Sequence, residues 1–272
     1  MHAHAILKPR PLEHLFAFLR ANHQWNSDFQ QRELARHLTH CTSPNQRLQT
    51  LLHVAVTTQT KPRIGKLSRF WRALAQFSPS DEHTQEEFVA FLEREGGTMR
   101  PDAGHWHRLY CALLSQPGWG RKTAALFVRT VVQLHRGRST HHFWPDGAVA
   151  TIADPDCIYL PVDKVIINIF AATGVVSRPD FDSVNKLLLA SYDPEEMLVW
   201  DDLWFWGYFT QNAQGDTRTF GWNSDKFWCE PSAPKESEPQ LKVLGEQFLS
   251  LIQASKHGGQ PAARELPTPT EK

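Results

Sequence analysis

Apolar residues recur at spacings of three and four through segment after segment of this 272-residue chain, a period that belongs to helices. In RPLEHLFAFLRA the stripe is Leu12, Leu15, Phe16 and Leu19; in SPNQRLQTLLHVAVTTQT it is Leu48, Leu51, Leu52 and Ala55. The second run opens on Ser43-Pro44, an N-cap followed by proline at the first helical position, where the missing N–H has no partner to lose. Thr84 with Glu87 three residues on reads as a capping box, and Gly96-Gly97 stops that helix. Further helices are expected over 105–115, 121–134, 164–173, 182–191 and 201–211. Strand signals are few, so the expected fold class is all-α.

Composition narrows the function classes. A chain 41% hydrophobic and 21% charged can bury a sizeable core. No run of about 18 apolar residues is present, and the start MHAHAILKPRPLEHLF lacks the apolar core of a secretory signal. The expectation is a cytoplasmic protein, nucleoid-associated in a bacterium, with no membrane partner and a monomeric state. Cys41, Cys111, Cys157 and Cys229 form no CxxC pair, which argues against a zinc site, an iron–sulfur site and a disulfide scaffold. The pairs His105/His107 and His141/His142 lack third and fourth ligands at zinc spacing and read as basic-face or loop residues.

Net charge is zero, but charge is unevenly placed. From Ala103 to Pro145 there are six Lys/Arg and no acid, and KPRIGKLSRFWR, Lys61 to Arg72, carries five positive charges and no negative one. A chain with one basic and one acidic side can bind a polyanion at zero total charge, although solvated basic helix faces give the same pattern. Residues 135–159 lose the helical period and read as a long loop with a short hairpin. After Trp228, CEPSAPKESEP reads as a linker. It leads to an amphipathic helix with Leu241, Leu244, Phe248, Leu251 and Ile252, then a polar, disordered end.

The segment LLSQPGWGRKTAALFVR, Leu113 to Arg129, joins two apolar helical runs through Gly118 and Gly120. Such a turn points the free N–H groups of the second helix outward, where the helix dipole favours an anion. Arg121 and Lys122 in that first turn oppose the dipole unless an anion such as a phosphate sits there. A glycine-turned αα-hairpin with no ligand explains the spacing equally well.

These residues resemble the helix-hairpin-helix of the endonuclease III type of DNA glycosylases, whose pattern is Pro-Gly-apolar-Gly-x-Lys-x-Ala. The same superfamily has an aspartate after an apolar-Pro-Val run, matched by Asp163 in YLPVDKVIINIF. It has an upstream Ser/Thr-rich Gln-Thr helix end, matched by Gln59 in LLHVAVTTQT, and a late helix with glycine, matched by Gly207 in DDLWFWGYFTQ. The likeness runs from about residue 43 to 211. It implies a two-lobed helical fold with a DNA cleft between lobes, residues 1–232 forming the glycosylase domain with an insertion at about 135–160. Residues 233–272 would be linker, helix and tail. Departures are plain: Asp163 lies 41 positions after Lys122, Lys164-Val165 replace the usual Thr-His, Gln116 replaces an apolar residue, and the iron–sulfur cysteines are absent. The resemblance extends to longer-spaced members, such as the archaeal 8-oxoguanine glycosylases, which implies that such an insertion need not abolish the site.

What the resemblance implies for chemistry is a DNA glycosylase with AP lyase activity on a modified or damaged base, such as oxidised 8-oxoguanine, in double-stranded DNA. Asp163 would stabilise the oxocarbenium character of the sugar, and neutral Lys122 would attack C1′ to give a Schiff base. Gln59, Gln116, Gly118, Gly120, Arg121 and Thr123 would contact DNA. Gln59 is also the candidate wedge for the space a flipped base leaves. Trp204 and Trp206 are the expected base-pocket residues, and Trp119 is expected in the hairpin core. No cofactor is implied beyond a monovalent cation held by hairpin carbonyls, and no metal-ligating side chain is expected. Blander roles stand beside these: a phosphate-contacting lysine for Lys122, a helix N-cap for Asp163 and a helix-end amide for Gln59. Two alternatives to the lyase remain, a glycosylase that uses water and a helix-hairpin-helix module that binds DNA without catalysis.

Overall fold

The structure is a computed structural model that describes residues 12–77, 83–100, 103–136, 141–145, 152, 156–214 and 217–256. Helices dominate: α1 (Glu13–Ala21), α2 (His23–Leu38), α3 (Pro44–Thr57), α4 (Ile64–Leu74), α5 (Gln85–Gly96), α6 (His105–Leu114) and α7 (Arg121–Arg136). After the insertion come α8 (Lys164–Thr173), α9 (Phe181–Leu189), α10 (Pro194–Val199), α11 (Asp202–Phe209), α12 (Ser224–Cys229) and α13 (Glu238–Lys256). Between α11 and α12 a two-stranded antiparallel hairpin, β1 (Gln211–Gln214) and β2 (Thr217–Phe220), pairs Gln211 with Phe220. The all-α reading holds apart from this hairpin. No described helix is long and apolar enough to cross a membrane.

The capping chemistry expected from sequence is present. Ser43 Oγ accepts from the Gln46 amide at the head of α3. Thr84 and Glu87 exchange both bonds of a capping box on α5, which ends on Gly97 in the left-handed region. Asp163 caps α8 through two backbone amides. α2 and α4 are helices that periodicity alone did not isolate. α2 is polar over most of its length, and α4 lies in the basic run KPRIGKLSRFWR, where Leu67, Phe70 and Leu74 form the buried stripe.

Helices α5, α6, α7 and α3 pack in that order, each on the next, with α2 against α3. A second set centres on α8, which contacts both α11 and α13, while α1 packs on α13 and α11 on α2. The α8–α11 crossing is close because of Gly207. A Cβ there would stand 2.5 Å from Val165 Cγ1 and 2.7 Å from the tip of Ile169. The C-terminal helix is therefore part of the main body: Leu241, Phe248 and Ile252 are buried, and Leu244 and Leu251 are partly buried against the core. The polar end after Lys256 lies outside the described residues, as does most of the expected loop hairpin within 135–159.

The chain leading into α8 is anchored at both ends of its described part. Asp156, buried, accepts from the backbone amides of Trp106 (2.8 Å) and His107 (2.9 Å), so it supplies an N-terminal cap to α6 from 50 residues away. Asn185 on α9 clasps Leu160, accepting from its N–H at 2.8 Å and donating to its carbonyl at 3.0 Å. These two clamps fix the backbone just before Asp163.

Candidate functional site

The connection from α6 to α7 is a tight turn. Gln116 N–H donates to Leu113 O at 2.9 Å, Trp119 N–H to Gln116 O at 3.2 Å, and Ala124 N–H to Gly120 O at 2.9 Å. Gly118 has φ of 88°, and a Cβ on it would meet Leu67 of α4 at 2.8 Å, so both the turn and the approach of α4 require glycine. Gly120 faces open space. Trp119 packs edge-on to Phe70 and Phe127, in the core.

The amides expected to touch DNA are used inside the protein. Gln116 is buried, and its Nε2 donates to Leu92 O at 2.7 Å and Ala112 O at 3.0 Å, tying the turn to α5. Gln59 Nε2 donates to Gly118 O and to Thr123 Oγ1, both at 3.2 Å, and Thr123 is itself buried. In this state Gln59 is a brace that holds the end of α3 on the hairpin, and its amide is not a projecting wedge. Arg121 pairs with Asp182 on an exposed surface. Exposed pairs of this kind contribute between zero and about 1 kcal/mol, so the guanidinium exchanges partners readily.

Beside the turn lies a polar groove of about 670 Å³ whose walls include Lys61, Arg63, Lys66 and Arg69 together with Gly118 and Gly120. None of these four cations forms an ion pair among the described residues. The residues of the turn and these four cations thus share one concave surface.

Around the α7 N-terminus from that groove is a second, largely apolar cavity of about 560 Å³. Lys122 and Asp163 both line it, despite the 41 positions between them. Lys122 Nζ lies 3.5 Å from Thr58 O at the end of α3. Asp163 Oδ1 accepts from Val165 N–H at 2.8 Å and Ile166 N–H at 3.1 Å. Both capping bonds fall on one oxygen, and Oδ2 has no protein partner among the described residues. Asp163 thus caps α8 through Oδ1 and is also one of the residues that line the cavity. Lys164, the next residue, is exposed and is not part of the cavity wall.

Residues of α11 and α12 also line the cavity. Trp204 and Tyr208, one turn apart, stack at 4.8 Å and 14° and both line the cavity. Trp206 does not: it is 1% exposed and packs on Phe18 and Phe248, which corrects its expected place in the pocket. α11 is apolar all round, so period cannot tell which of its rings face the cavity. Lys226 Nζ donates to Tyr208 O at 2.9 Å and Gln211 O at 2.7 Å and sits 4.8 Å from the Tyr208 ring centre. Burial and nearby Arg218 lower its pKa. Burial, with Glu33 close by, raises that of Glu230, whose backbone amide bonds Lys226 O at 3.1 Å.

Under the cavity runs a charged network that sequence reading did not single out. Arg129 is 1% exposed; it pairs with Asp201 and donates to Leu198 O at 3.1 Å. Burial lowers the pKa of its guanidinium, and the charge of Asp202 opposes that shift. Asp202, fully buried, accepts from Asn26 Nδ2 at 2.8 Å and bonds His23 Nδ1 at 3.0 Å. Burial raises the Asp202 pKa, and the bond to Asp202 raises that of His23. The signal available in the sequence was Arg129 on a face of α7 that is otherwise apolar.

No family model, curated protein or solved structure matches this chain.

Proposed function

We propose that the protein is a DNA glycosylase with AP lyase activity, acting on a modified or damaged base in double-stranded DNA. One observation carries the reading: Lys122 and Asp163 line a single cavity together with Trp204 and Tyr208, and a cationic groove lies at the turn of the glycine hairpin. In this reading the set α3–α7 and the set around α8, α11 and α13 are the two lobes, and the DNA lies across the space between them. Its backbone phosphates meet the α7 amides and the α4 cations, and the target nucleotide turns out of the stack into the cavity.

The chemistry then needs only groups already in place. As the C1′–N bond of the flipped nucleotide stretches, positive charge grows on the sugar and Asp163 Oδ2 stabilises it. Lys122, in its neutral form, donates its lone pair to C1′; the N–C1′ bond forms and the glycosidic bond breaks, its electrons leaving with the base, which takes up a proton. Opening of the sugar gives an imine between Lys122 and C1′. Loss of a C2′ proton moves its electron pair into a C2′–C3′ double bond and expels the 3′ phosphate, and water then releases Lys122 by hydrolysing the imine. No step uses a cation at the hairpin. Gln116 O and Gly118 O at the turn each accept one hydrogen bond, from Trp119 N–H and Gln59 Nε2, and each keeps a second lone pair.

Borohydride reduction on a duplex carrying one abasic site tests the lysine directly, because an imine becomes a stable protein–DNA adduct. The unmodified protein should be trapped, and Lys122→Gln should lose trapping while keeping most DNA affinity. Asp163→Asn should slow base release from a lesion substrate by about a hundredfold or more, the scale of one removed transition-state contact, with little change in binding. Base release without trapping would establish the water-using glycosylase. Tight binding with neither would establish the inactive DNA-binding module. Trapping undiminished in Lys122→Gln would exclude Lys122 as the nucleophile.

A further inference from the structure

Three helix faces converge on the cavity lined by Lys122 and Asp163, and their spacing gives it a length. From α7 the lining residues are Lys122, Leu126, Arg129, Thr130 and Gln133, one face of the helix at steps of three and four. From α3 they are Leu51, Val54, Ala55 and Thr58, again one face, and α2 contributes Gln30 and Leu34 among others. Two contacts mark the ends. Lys122 Nζ lies 3.5 Å from Thr58 O, and Gln31 Nε2 of α2 donates to Gln133 O at 3.5 Å. Gln30 and Gln133 also border a smaller cavity of about 290 Å³, so the two sit together at the end away from Lys122. Gln133 is 11 positions after Lys122 (133 − 122), which along a helix rising about 1.5 Å per residue is about 16 Å.

A base held with its C1′ at Lys122 does not fill such a space. The volume of about 560 Å³ is in the range that encloses a drug-sized ligand, and the bare rings of a pyrimidine or purine stop well short of Gln133. Between the two ends the lining from α2, α3 and α7 includes Leu34, Leu51, Val54, Ala55 and Leu126, all aliphatic, and side-chain amides appear at Gln30 and Gln133. The charges along the way are engaged: Arg129 pairs with Asp201, and Glu33 accepts from Arg36 and Ser232. An aliphatic lining that ends in neutral amides suits a flexible hydrocarbon arm with an uncharged polar terminus. We propose that the substrate is a base that carries such an arm, which lies along α7 from Leu126 to Gln133 while the ring stays beside Lys122 and Asp163. The position of C1′ rests on the activity proposed above, and the path of the arm rests on the three helix faces. Each methylene laid on these side chains leaves water, so affinity grows with the arm until it spans the cavity. A charged terminus would have to compete for Arg129, Asp201 or Glu33, which already have partners. C5 of a pyrimidine and N6 of an adenine lie in the major groove, so an arm at either position is compatible with a paired duplex.

The probes are two nucleoside series, deoxyuridine substituted at C5 and deoxyadenosine substituted at N6. Each is used bare and with straight arms of increasing length that end in a primary amide. Calorimetric titration against the full chain measures affinity. In at least one series affinity should rise with arm length, by up to about fourfold per methylene, the contribution of one buried CH₂. A terminal carboxylate should bind more weakly than the amide of the same length. Leu126→Trp narrows the cavity between its two ends and should flatten the rise, with the bare nucleoside bound as before. Val54→Trp, on α3, which packs against α7, should do the same and serves if Leu126→Trp fails to fold. Affinity independent of arm length in both series would overturn the inference, as would a rise undiminished in both tryptophan variants. No binding of any probe up to its solubility limit would also overturn it. Borohydride trapping on an abasic duplex, which carries neither base nor arm, reports on Lys122 alone. A protein that is trapped but shows no arm dependence keeps the lyase reading and loses this one, and arm dependence without trapping does the reverse.

Discussion

Lys122 and Asp163 show how much a single residue in its motif can tell. The Pro-Gly-Trp-Gly turn and the Leu-Pro-Val run before Asp163 gave each residue a local setting, and the structure places both on one cavity. The same reading missed Arg129, Asp202 and His23, since a lone charge in an apolar run announces burial without naming its partner. That network makes two predictions. Arg129→Ala should cost about 3–5 kcal/mol in unfolding experiments, because it strands the Asp201 and Asp202 carboxyls in the interior. The second concerns pH. The pKa of His23 is raised in the folded state above its ordinary value near 6.5, so the protonated form is favoured by folding. The stability it adds is complete below about pH 6. It fades as pH rises through the folded-state value. The raised carboxyl of Asp202 changes stability in the same direction but from a lower pH, starting above its ordinary value near 3.8. Melting temperature should therefore drift downward from pH 6 to pH 8. His23→Gln should remove the upper part of that drift, and a variant with the full slope would show that another group titrates there.

At the level of elements, capped helices were the most legible. α3, α5 and α8 begin at the residues their caps name, and α8 covers the expected span. α2 was not legible because its burial depends on a few residues, Asn26, Phe29, Leu34 and Leu38, scattered among polar ones. The hairpin β1–β2 was missed because its four-residue strands are too short and polar to show a period of two. The two hairpin glycines, which look alike in sequence, differ in structure and can be separated by substitution. Gly118→Ala forces a positive φ on alanine and pushes Leu67, so it should lower stability by about 1–3 kcal/mol. Gly120→Ala has open space and should melt within about 0.5 kcal/mol of the parent. Gly120→Glu should then keep the fold while weakening duplex binding, because it sets a carboxylate at the mouth of the groove. If Gly120→Glu binds as tightly as the parent, the turn is not in the interface.

For the whole molecule, the deciding property is where charge sits and not how much there is. With net charge zero, long-range attraction to a polyanion largely cancels, so the DNA binding proposed above has to draw on cations that are concentrated and free of partners. Glu86 and Glu93 are taken up by Arg108, and Asp182 by Arg121, while Lys61, Arg63, Lys66 and Arg69 beside the turn have no ion pair among the described residues. Each phosphate they neutralise releases condensed counterions, so the logarithm of affinity should fall linearly with the logarithm of salt at a slope near −0.9 per contact. Four contacts through Lys61, Arg63, Lys66 and Arg69 give a slope of about −3.6. Changing any one to Gln should reduce the slope by about one and weaken every duplex alike, modified or not. A titration of duplex binding across salt, repeated for the four single variants, measures all of this. If the slope stays near zero in the parent, or is unmoved by the variants, the cationic groove is a solvated face and the DNA lies elsewhere on the molecule.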